Sequence, residues 1–368
     1  MSNSAMEWWS TRCFNLTQCV MKTQATFILG IVFLLGSASC IKDFHKPTTV
    51  TVSTFAGKST VGSSDGVGTS ASFAGPNGIA TDVAGNVYVT DLDYGLIRKI
   101  SPAAVVTTLA GNDKVDMDGR GSVFWYPAGI AVNASGTVYV ADSYYNRIRK
   151  VSPEGVVTTF AGTGVPGTAD GPGATATFYH PGGLALDASG NIYVAQSNLI
   201  RKISPEGIVT TIAGSNEAGA ADGKGTAASF SGGSDVAVDA IGNVYVADSH
   251  NNQILKINRG GVVRTLAGSG ARGAADGRGA AASFDNPFGL GIDAAGNIYV
   301  TDRHNNKIRK VTPQGEVTTL AGTGEFGSVN GPGATATFAN PTDVTADNFG
   351  NLYVTDGNTM IRKIVISR

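Results

Sequence analysis

Few side chains in this sequence could do chemistry, and their types and spacing narrow what that chemistry would be. The chain carries four histidines and three cysteines. His180, His250 and His304 could together hold zinc, because three imidazoles are enough for a catalytic site. His250 and His304 sit in matching strings, Ser249-His250-Asn251-Asn252 and Arg303-His304-Asn305-Asn306. Asp235 and Asp343 stand where otherwise similar strings have Gly78, Gly129, Gly183 and Gly289. Two carboxylates so placed, with Asn77, His180, Asn286 and Asn340 near them, could hold a divalent ion such as calcium in oxygen coordination. Trp125-Tyr126 and Tyr144-Tyr145, with Tyr94, form a group of aromatics, and clustered Tyr and Trp suit contact with a protein or a sugar. No Gly-x-Ser-x-Gly elbow, His-Glu-x-x-His helix, phosphate loop or Cys-x-x-Cys pair occurs, so no ready-made catalytic motif is present.

Composition bounds the elements that must position these residues. The 368 residues include 50 glycines, 27 basic and 28 acidic side chains, a formal net charge of −1, and a hydrophobic share of 42%. Such a chain is too apolar for disorder, and its neutral balance excludes nucleic acid as the principal partner. Abundant glycine with sparse charge predicts short strands joined by tight turns.

The order of those strands is written as a repeat. Gly-Asn-Val-Tyr-Val-Thr-Asp begins at Gly85 and returns in close variants at Gly136, Gly190, Gly242, Gly296 and Gly350, a period of 51 to 54 residues. Ile-Arg-Lys follows in each copy except the fourth, which reads Ile254-Leu255-Lys256. Thr-x-Ala-Gly occurs six times, beginning at Thr54. In the second copy residues 129–132, 138–140, 148–151 and 156–160 read as strands, with Asn133 or, elsewhere, an aspartate capping the first turn. Four antiparallel strands repeated at this length predict a blade, and six copies predict a six-bladed, all-β propeller. The sixth copy lacks its own Thr-x-Ala-Gly strand, while residues 50–56 supply a spare one before the first copy. Pairing the two closes the ring and removes an exposed edge.

The units resemble NHL repeats. Pro127-Ala128-Gly129-Ile130-Ala131-Val132-Asn133, Gly242-Asn243-Val244-Tyr245-Val246-Ala247-Asp248 and the Ile-Arg-Lys strings match the family's pattern, over about residues 50–368. The resemblance implies the fold and leaves function open, since one propeller hosts unrelated activities. Some NHL domains of animals bind RNA, but Arg-Lys pairs spread evenly around a ring make no basic patch, and their stems can cover apolar surface. Some NHL-like lyases hold zinc inside such a propeller. The similar gluconolactonase family uses a channel metal whose ligands include a glutamate on an early inner strand; this chain has Gly78, Ala80 and Asp82 in that row. The loops between blades repeat Asp-Gly-x-Gly-x-x-Ala-x-Phe, starting at Asp65, Asp118, Asp170, Asp222, Asp276 and, in the last copy, Asn330. They read as glycine turns stapled by phenylalanine, with calcium or phosphate as the weaker alternative. Asp91, Asp142, Asp248, Asp302 and Asp356, with Gln196 in the third copy, end the second strand and read as caps for neighbouring backbone.

The first residues read as an address. Lys22, an apolar run over 27–35 and small residues over 36–39 predict a signal peptide spanning 21–39, too short to cross a membrane as a helix. Ser37-Ala38-Ser39-Cys40 resembles a bacterial lipobox, which implies cleavage before Cys40 and a lipid on its thiol. Residues 1–20 then read as an upstream start, and 40–49 as a linker of at most ~30 Å from lipid to first strand. Cys13 and Cys19 are removed with the leader, so no internal disulfide is expected. Ile41, in place of an aspartate retention signal, favours the outer membrane. Together these readings give an envelope-anchored monomer, without nucleic acid and without an expected cofactor, that presents a propeller face to a protein or glycan. The alternative is a metal-dependent lyase or lactone hydrolase with its site at the channel mouth.

Overall fold

A computed structural model describes residues 48–111, 124–357 and 359–367. The leader, Cys40, most of the linker and Asp118 therefore lie outside the described residues. No described helix is long and apolar enough to cross a membrane.

Alternation of β-branched and aromatic residues makes the strands, and Asx turns make the hairpins. In blade one the innermost strand, Pro76–Thr81, pairs with Val87–Asp91, then Leu96–Ile100, then Val105–Ala110. Five of the six sheets also carry a two-residue outer strand, such as Gly66–Val67 of blade one, supplied by the loop that enters the blade. The blades are thus built of four main strands with a short fifth, a refinement of the four-stranded expectation. The first turn is held as its sequence implies. Asp82 accepts the N–H groups of Ala84 and Asn86 at 3.0 and 2.9 Å and the Tyr88 hydroxyl at 3.0 Å, and Asp187, Asp239 and Asp293 repeat the arrangement.

No blade buries its faces alone. Each apolar cluster mixes two neighbours; one joins Tyr193 and Ile200 of blade three to Phe230, Val236 and Val246 of blade four, and another joins blades six and one. Hydrophobic burial therefore holds the ring together blade by blade, in the manner of repeat proteins. Closure is covalently indirect but complete. Thr49–Gly57 pairs antiparallel with Met360–Ser367, in register from Thr49 opposite Ser367 to Gly57 opposite Met360, with a bulge between Thr54 and Ala56. The whole ring, closing strand included, lies within the compact unit Thr48–Arg368.

The Ile-Arg-Lys strings correct one expectation. Arg98, Arg149, Arg201, Arg309 and Arg362 do not spread over the surface; each is fully buried. Side chains alternate across a strand, so arginine turns in and lysine turns out. Arg98 stacks 5.0 Å above Phe73 and pairs with Asp91 at 3.0 Å and with the loop residue Asp65 at 2.9 Å. The terminal strand aspartates and the loop phenylalanines are thus parts of one bracket, which ties inter-blade loop to sheet wherever the arginine is present.

Candidate functional site

The innermost strands face one another around an axial channel. On one face of the ring, the loop after the second strand zips onto the end of the inter-blade loop by backbone pairs, such as Tyr144 N–H to Trp125 O at 3.1 Å and His304 N–H to Asp285 O at 3.2 Å. Every sequence-predicted site residue among the described ones lies on this face or at its mouth.

The aromatics come together. Trp125 stacks on Tyr144 with ring centroids 5.4 Å apart and meets Tyr145 edge-on at 5.6 Å. Tyr126 packs on Tyr144 at 5.1 Å, and His180 of the next blade meets Tyr144 at 5.1 Å and Tyr179 at 4.6 Å. Trp125 remains 56% exposed and Tyr144 48%, so the cluster is an open platform and not a core. Its backbone is held from beneath. The Trp125 N–H donates to buried Asp142 at 2.8 Å, and the His180 N–H donates to Asn146 at 2.9 Å. Tyr126 and His180 both take left-handed backbone, at φ 62° and 45°, where bulky residues are rare. Blades five and six put Asn286 and Asn340 at this same place, and both are left-handed too.

The histidines do not converge. His180 belongs to the platform, His250 lies against Gly232, and His304 sits 3.4 Å from Asp285. Among the described residues no group of three or more His, Cys, Asp or Glu side chains could hold a metal ion.

Asp235 and Asp343 do meet, at the axis. Asp235 Oδ1 accepts the Val236 N–H at 2.8 Å and Oδ2 the Leu290 N–H of blade five at 2.7 Å. Asp343 uses its two oxygens in the same way, on Val344 at 2.7 Å and on Ile79 of blade one at 2.9 Å. A side chain at Gly183 would overlap Asp235, and one at Gly289 would overlap Asp343, which explains why glycine precedes each aspartate around the ring. Burial pushes Asp235 up to about 7. Burial, then the neighbouring charge of Asp235, pushes Asp343 well above the usual carboxylate range. The two line both a 250 Å³ cavity along the axis and a smaller one of 60 Å³ at the mouth, and so stand between them. All four carboxyl oxygens already accept backbone N–H groups, and among the described residues no third acidic or imidazole side chain joins them.

Three residues of this face were not singled out by sequence reasoning. Tyr179 occupies the same repeat position as Trp125. Phe288 lines the mouth, and Arg303 lies 4.8 Å above its ring. The signal lay in comparing every repeat position and not only the one that carries glycine. The loop aspartates, by contrast, are structural: Asp170 takes the Thr211 N–H at 2.9 Å and Arg201 at 2.7 Å, and these bonds, against the opposing effect of burial, hold its carboxyl below the usual range.

Comparison with known proteins agrees with the fold. The family model of the NHL repeat matches residues 124–151, and that of the teneurin NHL domain matches residues 167–222. Mouse teneurin-3 is 28% identical over 337 residues, covering 78% of this chain and 12% of that protein. Chicken NHL repeat-containing protein 2 is 28% identical over 336 residues, covering 79% of this chain and 46% of the relative. The chain thus spans about an eighth of the teneurins and less than half of the second relative. Among solved structures, an auxiliary nutrient binding protein of Bacteroides ovatus aligns with a TM-score of 0.66 at 18% identity, covering 87% of this chain and 77% of that one. A streptogramin B lyase aligns at 0.55 and 17% identity, covering 87% of this chain and 98% of that one. A gluconolactonase of Xanthomonas campestris aligns at 0.54 and 12% identity, covering 80% and 87%. Binding proteins and enzymes alike share this ring.

Proposed function

We propose that the chain is a non-enzymatic binding scaffold of the bacterial cell envelope, tethered by a lipid on Cys40, whose upper face receives a protein or glycan ligand. The observation that carries this reading is the platform of Trp125, Tyr126, Tyr144 and His180. Its rings are half-exposed, locked against one another, and set on backbone that two adjacent blades hold in an unfavourable conformation. Exposed aromatics on a rigid base provide contact area at small entropic cost, which suits recognition. The nutrient-binding fold neighbour fits the reading, while the lyase and the gluconolactonase show that the ring alone does not choose it.

The same variants separate the scaffold from a metal-dependent lyase or lactone hydrolase. The probe is a panel of immobilised oligosaccharides and peptides, read against residues 41–368, which contain the closed ring. Binding lost in Trp125→Ala and kept in the double change Asp235→Asn with Asp343→Asn supports the scaffold. The reverse pattern, joined to a stoichiometric metal that survives chelation and dialysis, supports the enzyme and sinks the scaffold. Replacing Cys40 by Ala should release the chain from the membrane fraction; if it stays, the lipid tether is wrong.

A further inference from the structure

One cation at the mouth lacks a partner. At the position after the second strand the other blades have Leu92, Ser143, Ser197, Ser249 and Gly357, and blade five has Arg303. The Arg303 N–H pairs with the Asn286 carbonyl at 3.3 Å, which fixes the residue beside the channel, and its guanidinium covers Phe288. Arg303 is partly buried, and burial lowers its pKa. It also lies within electrostatic reach of Tyr126, on the opposite side of the ring. Yet among the described residues no carboxylate stands within ion-pair distance of it, unlike Arg98, Arg201 or Arg309. A partly desolvated guanidinium with its fork unfilled favours an oxyanion that can take two N–H groups at once.

The space beneath the mouth limits how deep a ligand can enter. Below the guanidinium's stacking partner Phe288, a cavity of 60 Å³ is lined also by Asn77, Ser234, Asp235 and Asp343, while Arg303 itself stands outside its lining. That is room for a few water molecules and too little for a sugar ring, so a ligand bound to Arg303 stays above the mouth. The rest of the ligand then lies where Tyr126 leads to Trp125 and Tyr144. Burial holds the carboxyls of Asp235 and Asp343 above the usual carboxylate range, which reduces the repulsion that two ionised carboxylates beneath the mouth would exert on an anion.

We propose that the mouth takes the carboxylate of an acidic sugar on Arg303, with the pyranose ring laid against Tyr126 and Trp125, so that the ligand is a uronate-containing saccharide. This rests on the scaffold reading and narrows it to one ligand class. The test is binding of residues 41–368 to oligogalacturonate, oligomannuronate and hyaluronan tetrasaccharides, each beside its carboxyl-reduced neutral form. At least one acidic form should bind, tenfold or more tighter than its neutral form and more weakly as salt rises. Arg303→Gln should erase that preference and leave the melting temperature in place, and Arg303→Lys should keep part of it. Equal binding of acidic and neutral forms, lost in Trp125→Ala, would overturn the uronate and leave the scaffold standing. Binding of peptides and of no saccharide would overturn the ligand class, and binding of nothing in either panel would overturn both readings. An unfolded Arg303→Gln does not rescue the proposal, because the comparison of acidic with neutral forms on the unaltered chain decides it alone.

Discussion

Asp248 shows what one substitution does inside a repeated bracket. In blade four Leu255 stands where the other blades have arginine, so Asp248 keeps its burial and loses the guanidinium. Asn251 donates to it at 2.8 Å and the Ser231 N–H at 2.8 Å, and burial still pushes its carboxyl up to about 6. The sign follows: the folded chain holds this proton where the unfolded chain, near 3.9, has released it. Its contribution to stability is present below about pH 4 and is lost as pH rises through 6. Asp248→Asn should therefore flatten the fall of melting temperature between pH 4 and 6, with its gain at pH 7 reduced because the new amide NH₂ faces the Asn251 donor. Leu255→Arg should also stabilise at pH 7, because Phe230 and Asp222 still offer the stacking face and loop carboxylate that the missing residue would use. A lower melting temperature for Leu255→Arg would show that blade four has closed over the slot. The substitution was legible in Ile254-Leu255-Lys256; its consequence was not. Charged residues are seldom fully buried, so sequence reasoning left the Arg-Lys pairs on the surface, and only the register of the third strand reveals that arginine faces inward.

At the scale of the element, the strand ends carry the conflict between stability and use. The left-handed residue before each inner strand is glycine in blades one and four and asparagine in blades five and six, all suited to positive φ. Blades two and three carry Tyr126 and His180 instead, and an aromatic there costs of the order of 1 kcal/mol. Tyr126→Asn and His180→Asn should thus leave the melting temperature unchanged or raise it by a few degrees, while weakening ligand binding. A marked loss of stability in both would mean that the platform is packing and not a binding surface. Trp125→Ala belongs to the same test: its exposed ring predicts a small thermal effect, below about 1 kcal/mol, whereas collapse of the fold would end its functional reading. Here the sequence was informative in part. Tyr126, Tyr144, Tyr145, Trp125 and His180 could be assigned to one face because turn chemistry fixes which loops share it. Tyr179 and Arg303 escaped because their meaning depends on how two loops zip together, a tertiary relation with no local signature. The same limit applies to the three histidines, which share a face without meeting.

At the scale of the whole molecule the fold was legible because six copies repeat one pattern of turns and strands, and because the odd strand at one end matches the gap at the other. What the repeat could not disclose is how the ring is fastened at its centre. Asp235 ties blade four to blade five and Asp343 ties blade six to blade one, so two of the inter-blade contacts at the axis depend on carboxyl groups that burial makes reluctant to ionise. Both groups are held above their unfolded values, so their contribution is complete below about pH 4 and falls as pH rises through about 7, where Asp235 ionises. Above that range a second ionisation would set two negative charges against each other at the centre of the ring. Asp343→Asn removes the ionisation but sets an amide NH₂ against one of the two backbone donors, so its melting temperature should lie below that of the unaltered chain at pH 4.5, and the gap should close or reverse by pH 8.5, read from paired thermal scans. The difference between the two chains isolates this pair from Asp248, whose contribution falls in the same direction at lower pH. If the two curves run parallel from pH 4.5 to 8.5, the pair stays ionised throughout that range, and the channel carboxylates become a candidate site for a cation.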